Sequence, residues 1–208
     1  MEIISHRGYW KNVSEKNMPI AFTRSFELGF GTETDLRDFD GDIVISHDIP
    51  DKDSISLRTF FESYKQTDNS TTLALNVKSD GLQKKLKLYL NYFEIKNYFV
   101  FDMSIPDTIA YKEHDINFFS RQSEFESLPV FYENCKGVWL DAFDGIWYDK
   151  ELILEHLKND KKVAIVSPEL HKRDMYEFWE MLRNTQINLL SGVILCTDFP
   201  EEAKNYFN

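Results

Sequence analysis

Two acids on one strand face and two histidines at strand ends are the side chains in this chain best suited to chemistry. Glu33 and Asp35 lie two apart in Gly31-Thr32-Glu33-Thr34-Asp35-Leu36, which reads as a strand, so both carboxylates leave the same face. Like charges so placed cost free energy, and a strand tolerates them best where a divalent cation or a cationic side chain sits between them. The apolar run Ile43-Val44-Ile45 then delivers His47 and Asp48. At the N-terminus, Ile3-Ile4-Ser5 delivers His6, Arg7 and the permissive Gly8. Either histidine alone would be structural by default. Together with the two acids they can act as an acid–base pair. Arg7 can grip a phosphate bidentately or close an ion pair on Asp35 or Glu33.

The elements that must position these groups can be read in chain order. Asn17 is expected to cap a helix with Pro19 in its first turn, and Phe22, Ser25, Phe26 and Phe30 form its packing face. Gly29-Phe30-Gly31 ends that helix, and Asp40-Gly41 marks a hairpin turn before Ile43. A short helix is expected over 57–64 and a strand over 71–77, which places Asn76 and Lys78 on one face. Leu82, Leu86, Tyr89, Leu90 and Phe93 recur at helical spacing. Further strands are expected over 98–102, 117–120, 137–141, 162–166 and 192–196. Helices are expected over 105–113, from Asp149 to about 158, after an Asp174/Glu177 capping box, and over 201–207. Strands alternating with helices point to a parallel α/β sheet.

The bulk properties narrow the function classes. With 208 residues the chain suits one domain, 1–208, with a sizeable core. A formal net charge of −11 argues against nucleic acid and disfavours anionic membrane surfaces. No apolar run approaches the ~18–20 residues that span a bilayer, so no integral membrane association is expected. The N-terminus lacks the pattern of a signal peptide, and Cys135 and Cys196 have no metal-ligand spacing. Buried thiols in a reducing cytoplasm are the expectation. His114 and His156 are expected on helices or loops without a role; His171, after the seventh strand, could face a site.

His6-Arg7-Gly8, Asn17, Glu33-x-Asp35 and His47-Asp48, in that order and spacing, resemble the glycerophosphodiester phosphodiesterase family. The ending Gly192-Val193-Ile194-Leu195-Cys196-Thr197-Asp198-Phe199-Pro200 looks like that family's last strand. The resemblance is carried by residues 1–50, 71–80 and 190–202. It implies a (β/α)8 TIM barrel, here compact, since such barrels typically have ~250 residues. Some helices must then be short or missing, with 121–136 the expected gap. The stretch after His47 is shorter than in family members, which implies a more open site.

The resemblance also implies a metal-assisted phosphoric diester hydrolase for small glycerol-type phosphodiesters. His6 and His47 would be catalytic, and Arg7 and Lys78 would bind phosphate. Glu33, Asp35 and Asn76 would hold Mg²⁺ or Ca²⁺. Asn76 stands where the family has a Glu, and an amide oxygen can ligate these ions without adding charge. In a barrel the strand C-termini carry the site, which adds Asp102, Arg121 and Asp141 as possible lining, and the resemblance adds Asn17. The alternatives are a phospholipase of the same superfamily and a catalytically weakened phosphodiester-binding barrel. An aldolase or isomerase barrel is disfavoured by the His-Arg-Gly and His-Asp pairs. The oligomeric state is not legible.

Overall fold

Runs of β-branched and aromatic residues bounded by Gly, Asn and Asp become strands here, and segments with apolar residues at helical spacing become helices. The computed structural model describes residues 1–67 and 70–208. They group into two compact units, Ser5–Phe118 and Met1–Ile4 with Phe119–Asn208. Strand β1, Glu2–His6, contributes to both.

In Ser5–Phe118 the chain continues as α1 (Pro19–Glu27), β2 (Gly31–Phe39), β3 (Asp42–Ile45), β4 (Ile55–Ser56), α2 (Leu57–Gln66), β5 (Leu73–Val77), α3 (Gln83–Tyr92), β6 (Tyr98–Phe101) and α4 (Ile105–Glu113). Strand β2 pairs in parallel with β5, Asp35 opposite Asn76, and β5 pairs in parallel with β6. Beyond Asp35, β2 turns back through Asp40-Gly41, both at positive φ, and pairs antiparallel with β3. That two-residue turn is the hairpin expected from Asp-Gly. Helices α1 and α2 bury Phe22, Phe26, Phe60, Phe61 and Tyr64 against one another. Phe60 sits 4.7 Å from Phe22 and 5.7 Å from Phe61 between ring centroids, in edge-on or tilted pairs. A second knot is made of hydroxyls: Ser5 Oγ lies 2.7 Å from Ser25 Oγ and 3.0 Å from Thr32 Oγ1, all without solvent exposure. It ties β1, α1 and β2 together directly beneath His6 and Glu33.

The second unit holds β7 (Phe119–Gln122), β8 (Gly137–Leu140), α5 (Lys150–Lys158), β9 (Lys162–Val166), α6 (Tyr176–Asn184), β10 (Val193–Thr197) and α7 (Pro200–Phe207). Strands β7, β8, β9 and β10 pair in parallel in that order. Trp179 and Leu182 of α6 pack with Val138, Leu140, Ile165 and Leu195 in its core. Both cysteines are free and buried, as expected.

Three local expectations need correction. Met18, not Asn17, precedes α1 as its N-cap, because Asn17 is drawn away by the buried acid described below. Asp174 and Glu177 form no capping box. Asp174 Oδ1 accepts from the Tyr176 amide two residues on, and Met175 takes the cap position. The fifth barrel strand runs two residues later than expected, so Arg121 lies inside β7, opposite Trp139, and not past its end.

No helix joins β7 to β8, which is the gap expected from the chain length. Side chains fasten that connection. Gln122 Nε2 donates to Ser127 O, and Ser120 Oγ donates to Val130 O. Buried His156 of α5 joins Gln122 Oε1 through Nε2 and the Tyr132 hydroxyl through Nδ1, each at 2.8 Å. His156 is thus a neutral clamp, with one nitrogen donating and the other accepting. Burial pushes its pKa below 6.5, against a smaller upward pull from Glu155. The folded protein resists a proton that the unfolded chain accepts, so stability present above pH 6.5 is lost as the pH falls toward the folded pKa. Urea unfolding between neutral and mildly acidic pH is expected to show this slope, and His156→Gln, which keeps a donor and an acceptor, is expected to flatten it.

Candidate functional site

The first cluster lies wholly within Ser5–Phe118 and is built around Asp35. Its side chain is 1% exposed. Arg7, from the end of β1, places Nε 3.1 Å from Oδ2, and Lys78, just past β5, places Nζ 3.4 Å from Oδ1. Asn17 Nδ2 donates to Oδ2 at 2.8 Å, while Asn17 Oδ1 accepts from the Thr34 hydroxyl at 2.8 Å. Two cationic side chains, Arg7 and Lys78, therefore stand on Asp35.

Backbone geometry sets this up. Arg7 and Asn17 both take left-handed φ, +58° and +59°. The Asn17 amide donates to Arg7 O, and the Arg7 amide donates to Glu33 O. Strain of this kind persists only where its surroundings over-determine it. Gly8 follows at φ +81°, and a Cβ there would lie 2.8 Å from Ala21 Cβ and 2.9 Å from Ala21 C. Glycine is required both by the turn and by the close approach of α1.

Glu33 is the opposite case. It is 2% exposed, His6 Nε2 stands 4.0 Å from Oε2, and the Arg7 amide donates to Oε2 at 3.2 Å. Burial first, and the Asp35 carboxylate second, push its pKa up to about 8; Arg7 and Lys78 pull the other way. Glu33 therefore keeps its proton near neutral pH.

His47 follows β3. The Ser46 amide donates to Asp35 O at 3.0 Å, so His47 begins one residue beyond a backbone bond to the site's central acid. Its Nδ1 pairs with Asp48 Oδ1 at 2.9 Å, and the imidazole is 45% exposed. Asn76 is buried opposite Asp35 in the β2–β5 ladder. Its Nδ2 donates to Asp102 Oδ2 at 3.2 Å, which turns its Oδ1 the other way. Asn76 Oδ1 and Asp35 Oδ1 are buried and accept no hydrogen bond among the described residues. Two such oxygens beside a buried carboxyl group fit a hard cation, which takes carboxylate and amide oxygens. The donor set is two carboxylates and an amide; among the described residues no three His, Cys, Asp or Glu side chains group to hold a metal.

The structure gathers His6, Arg7, Asn17, Glu33, Asp35, Asn76, Lys78 and Asp102 by contact. Arg121 and Asp141 fall in the other unit, with a cluster of their own. Arg121 pairs with Glu126 and lies over the Phe143 ring at 5.8 Å. Asp141 Oδ1 accepts from the Ala142 amide and from His171 Nε2, the latter at 2.7 Å, and the His171 ring packs on Phe143. Residue types alone do not reveal the Asn17 bridge to Asp35; the signals in the sequence are an Asn ahead of a Pro-led helix and its place in the resembled motif.

No protein-family model matches the sequence, and no curated protein matches it. Solved structures do. The chain superposes on a candidate glycerophosphodiester phosphodiesterase from Galdieria sulphuraria with a TM-score of 0.79 at 17% identity, covering 99% of this chain and 97% of that one. It is similar to a phosphodiesterase from Oleispira antarctica solved with the product sn-glycerol-3-phosphate (TM-score 0.70, 14% identity, 99% and 96% covered). It is also similar to a Ca²⁺-dependent phosphatidylinositol-specific phospholipase C from Streptomyces antibioticus (TM-score 0.58, 8% identity, 100% and 96% covered).

Gly8→Ala is expected to lower stability by ~2 kcal/mol or more through overpacking and a disfavoured φ. Urea unfolding measures it, and an unchanged midpoint would mean that the His6-Arg7-Gly8 turn is not seated on α1 as described. The chain has the (β/α)8-barrel fold of the glycerophosphodiester phosphodiesterases and of phosphatidylinositol-specific phospholipase C.

Proposed function

We infer that this protein is a phosphoric diester hydrolase acting on small glycerol-type phosphodiesters. The observation that carries this is the convergence of Arg7, Lys78 and His6 on two buried strand acids, at the strand ends where such barrels carry their sites. The fold shared with a phosphodiesterase solved with sn-glycerol-3-phosphate supports it.

Arg7 and Lys78, 21% and 23% exposed at their side chains, have donors to spare beyond Asp35 and would hold phosphoryl oxygens. His6 and His47 would divide the proton transfers. One imidazole takes the proton of the attacking hydroxyl, and the other gives a proton to the leaving alkoxide as its bond to phosphorus breaks. Asp48, bonded to His47 Nδ1, holds that ring so that Nε2 does the work. Glu33, Asp35 and Asn76 would hold Mg²⁺ or Ca²⁺. When bound, the cation supplies charge neutralisation and polarises the phosphoryl oxygens. Asn76 adds no charge to the set, so the ion should bind weakly without substrate.

Hydrolysis of glycerophosphodiesters, phosphatidylinositol and aryl phosphodiesters, with Mg²⁺, Ca²⁺ or EDTA, tests the function. Turnover of the glycerol-type diesters is expected with either metal and not in EDTA. His6→Ala and His47→Ala are each expected to lower it by ~10²–10⁴. Full activity in EDTA would leave Arg7 and Lys78 as the only phosphate-neutralising groups. No turnover of any diester, with phosphodiester binding retained, would make the protein a binding barrel.

The metal can be tested without turnover. With its pKa near 8, Glu33 is mostly protonated at neutral pH and must lose that proton to ligate a cation. Titration of Mg²⁺ or Ca²⁺ by calorimetry, in two buffers of different ionisation enthalpy, is expected to show release of about one proton at pH 7. That release should vanish well above pH 8 and in Glu33→Gln. Asn76→Glu is expected to tighten the metal; unchanged affinity would mean that this side chain does not reach the ion.

A further inference from the structure

The outer faces of α2 and α3 carry charge of the sign opposite to that of the chain. These helices hold Arg58, Lys65, Lys84, Lys85 and Lys87 against a single acid, Glu62, in a protein of formal net charge −11. Helix α3 itself contains no acid. It turns Leu86 and Leu90 into the core, which leaves Lys84, Leu88 and Tyr92 outward, with Leu88 68% and Tyr92 71% exposed. Arg58 reaches across from α2 and lies 5.3 Å from the Tyr92 ring and 5.7 Å from the Tyr89 ring. Arg58, Lys85, Leu88, Tyr89 and Tyr92 line a shallow cavity of about 350 Å³. Part of the charge is engaged: Lys85 stands 3.5 Å from Asp42, and Lys87 donates to the carbonyl of Asp115. No partner satisfies Lys84 or Lys65 among the described residues.

An exposed leucine and amphipathic tyrosines set among lysines and an arginine match the chemistry of an anionic lipid interface. There the rings and the leucine enter the headgroup region while cationic stems reach for phosphates and carboxylates. Each basic side chain adds attraction at short range, and charge beyond a Debye length of about 10 Å is screened. Acids farther than that from this face do not cancel it. We propose that the α2–α3 face is a peripheral docking surface for membranes containing anionic phospholipid. It is not a membrane span; among the described residues no helix is long and apolar enough to cross a bilayer.

Co-sedimentation with vesicles tests this, using phosphatidylcholine alone and phosphatidylcholine with phosphatidylserine at about one third, at ~0.1 M salt. Binding is expected only to the phosphatidylserine vesicles, and it should disappear at ~1 M salt. Lys84→Glu should weaken it about tenfold and Leu88→Ser severalfold, with unchanged unfolding midpoints, because both side chains are exposed. Absence of binding, equal binding to neutral vesicles, or binding indifferent to both substitutions would each overturn the proposal. So would binding of an acidic polypeptide such as polyglutamate in place of vesicles, which would make the face a protein-docking surface.

Discussion

Asp35 is a carboxylate with almost no access to water, and the arrangement of Ser5–Phe118 follows from satisfying it. An unpaired charge in such a place would be neutralised or would unfold its surroundings, and breaking a buried pair generally costs ~3–5 kcal/mol. Three groups from three places in the chain answer it: Arg7 after β1, Asn17 before α1 and Lys78 after β5. Their demands explain the left-handed backbone at Arg7 and Asn17, and through Gly8 the tight seating of α1. The same ion pairs that hold these elements also leave two cationic side chains partly exposed at a strand end, where an anionic ligand can share them.

At Glu33 the pull of those cations is outweighed by burial and by the Asp35 carboxylate. Glu33 stands on the same face as Asp35, with His6 Nε2 4.0 Å away, and its proton is held to about pH 8. Two acids two residues apart thus differ by environment: Asp35 sits inside an ion-pair network, and Glu33 holds a proton that a stronger cation could discharge. In the proposed reaction this difference has a use. While Glu33 keeps its proton, the two cations Arg7 and Lys78 outweigh the Asp35 carboxylate, and that positive balance favours a phosphodiester; ionising Glu33 would cancel it.

Much of this was legible in the sequence, because period-two alternation and turn residues act locally. The eight barrel strands and the Asp40-Gly41 hairpin depend on neighbours in the chain, and so does the helix-free connection after β7. The errors arose where a distant group won. Asn17 has the composition of an N-cap, but Asp35 lies 18 residues away in sequence and takes its amide. His156 lies on a helix, in keeping with the sequence, but its clamp to Gln122, 34 residues away, leaves no local trace. Nothing local records the orientation of Asn76 either: Asp102, on the neighbouring strand's end, takes the amide NH2 and leaves Oδ1 buried without a hydrogen bond among the described residues. Residue types predict which chemistry is available, and tertiary partners decide which atom offers it.

Charge separates the two scales most clearly. A net charge of −11 is a property of the whole chain and governs its solubility and long-range field. Recognition happens within a Debye length, where only the nearest side chains count. At Asp35 two cations outweigh one ionised acid, and along α3 three lysines face no acid of their own helix. An acidic protein can therefore present an anion-binding strand end and a basic helical face at once, provided the excess acids sit elsewhere. Net charge alone is therefore a weak guide to the partners of this chain, because its basic side chains are not spread evenly but placed where β1, β5, α2 and α3 gather them.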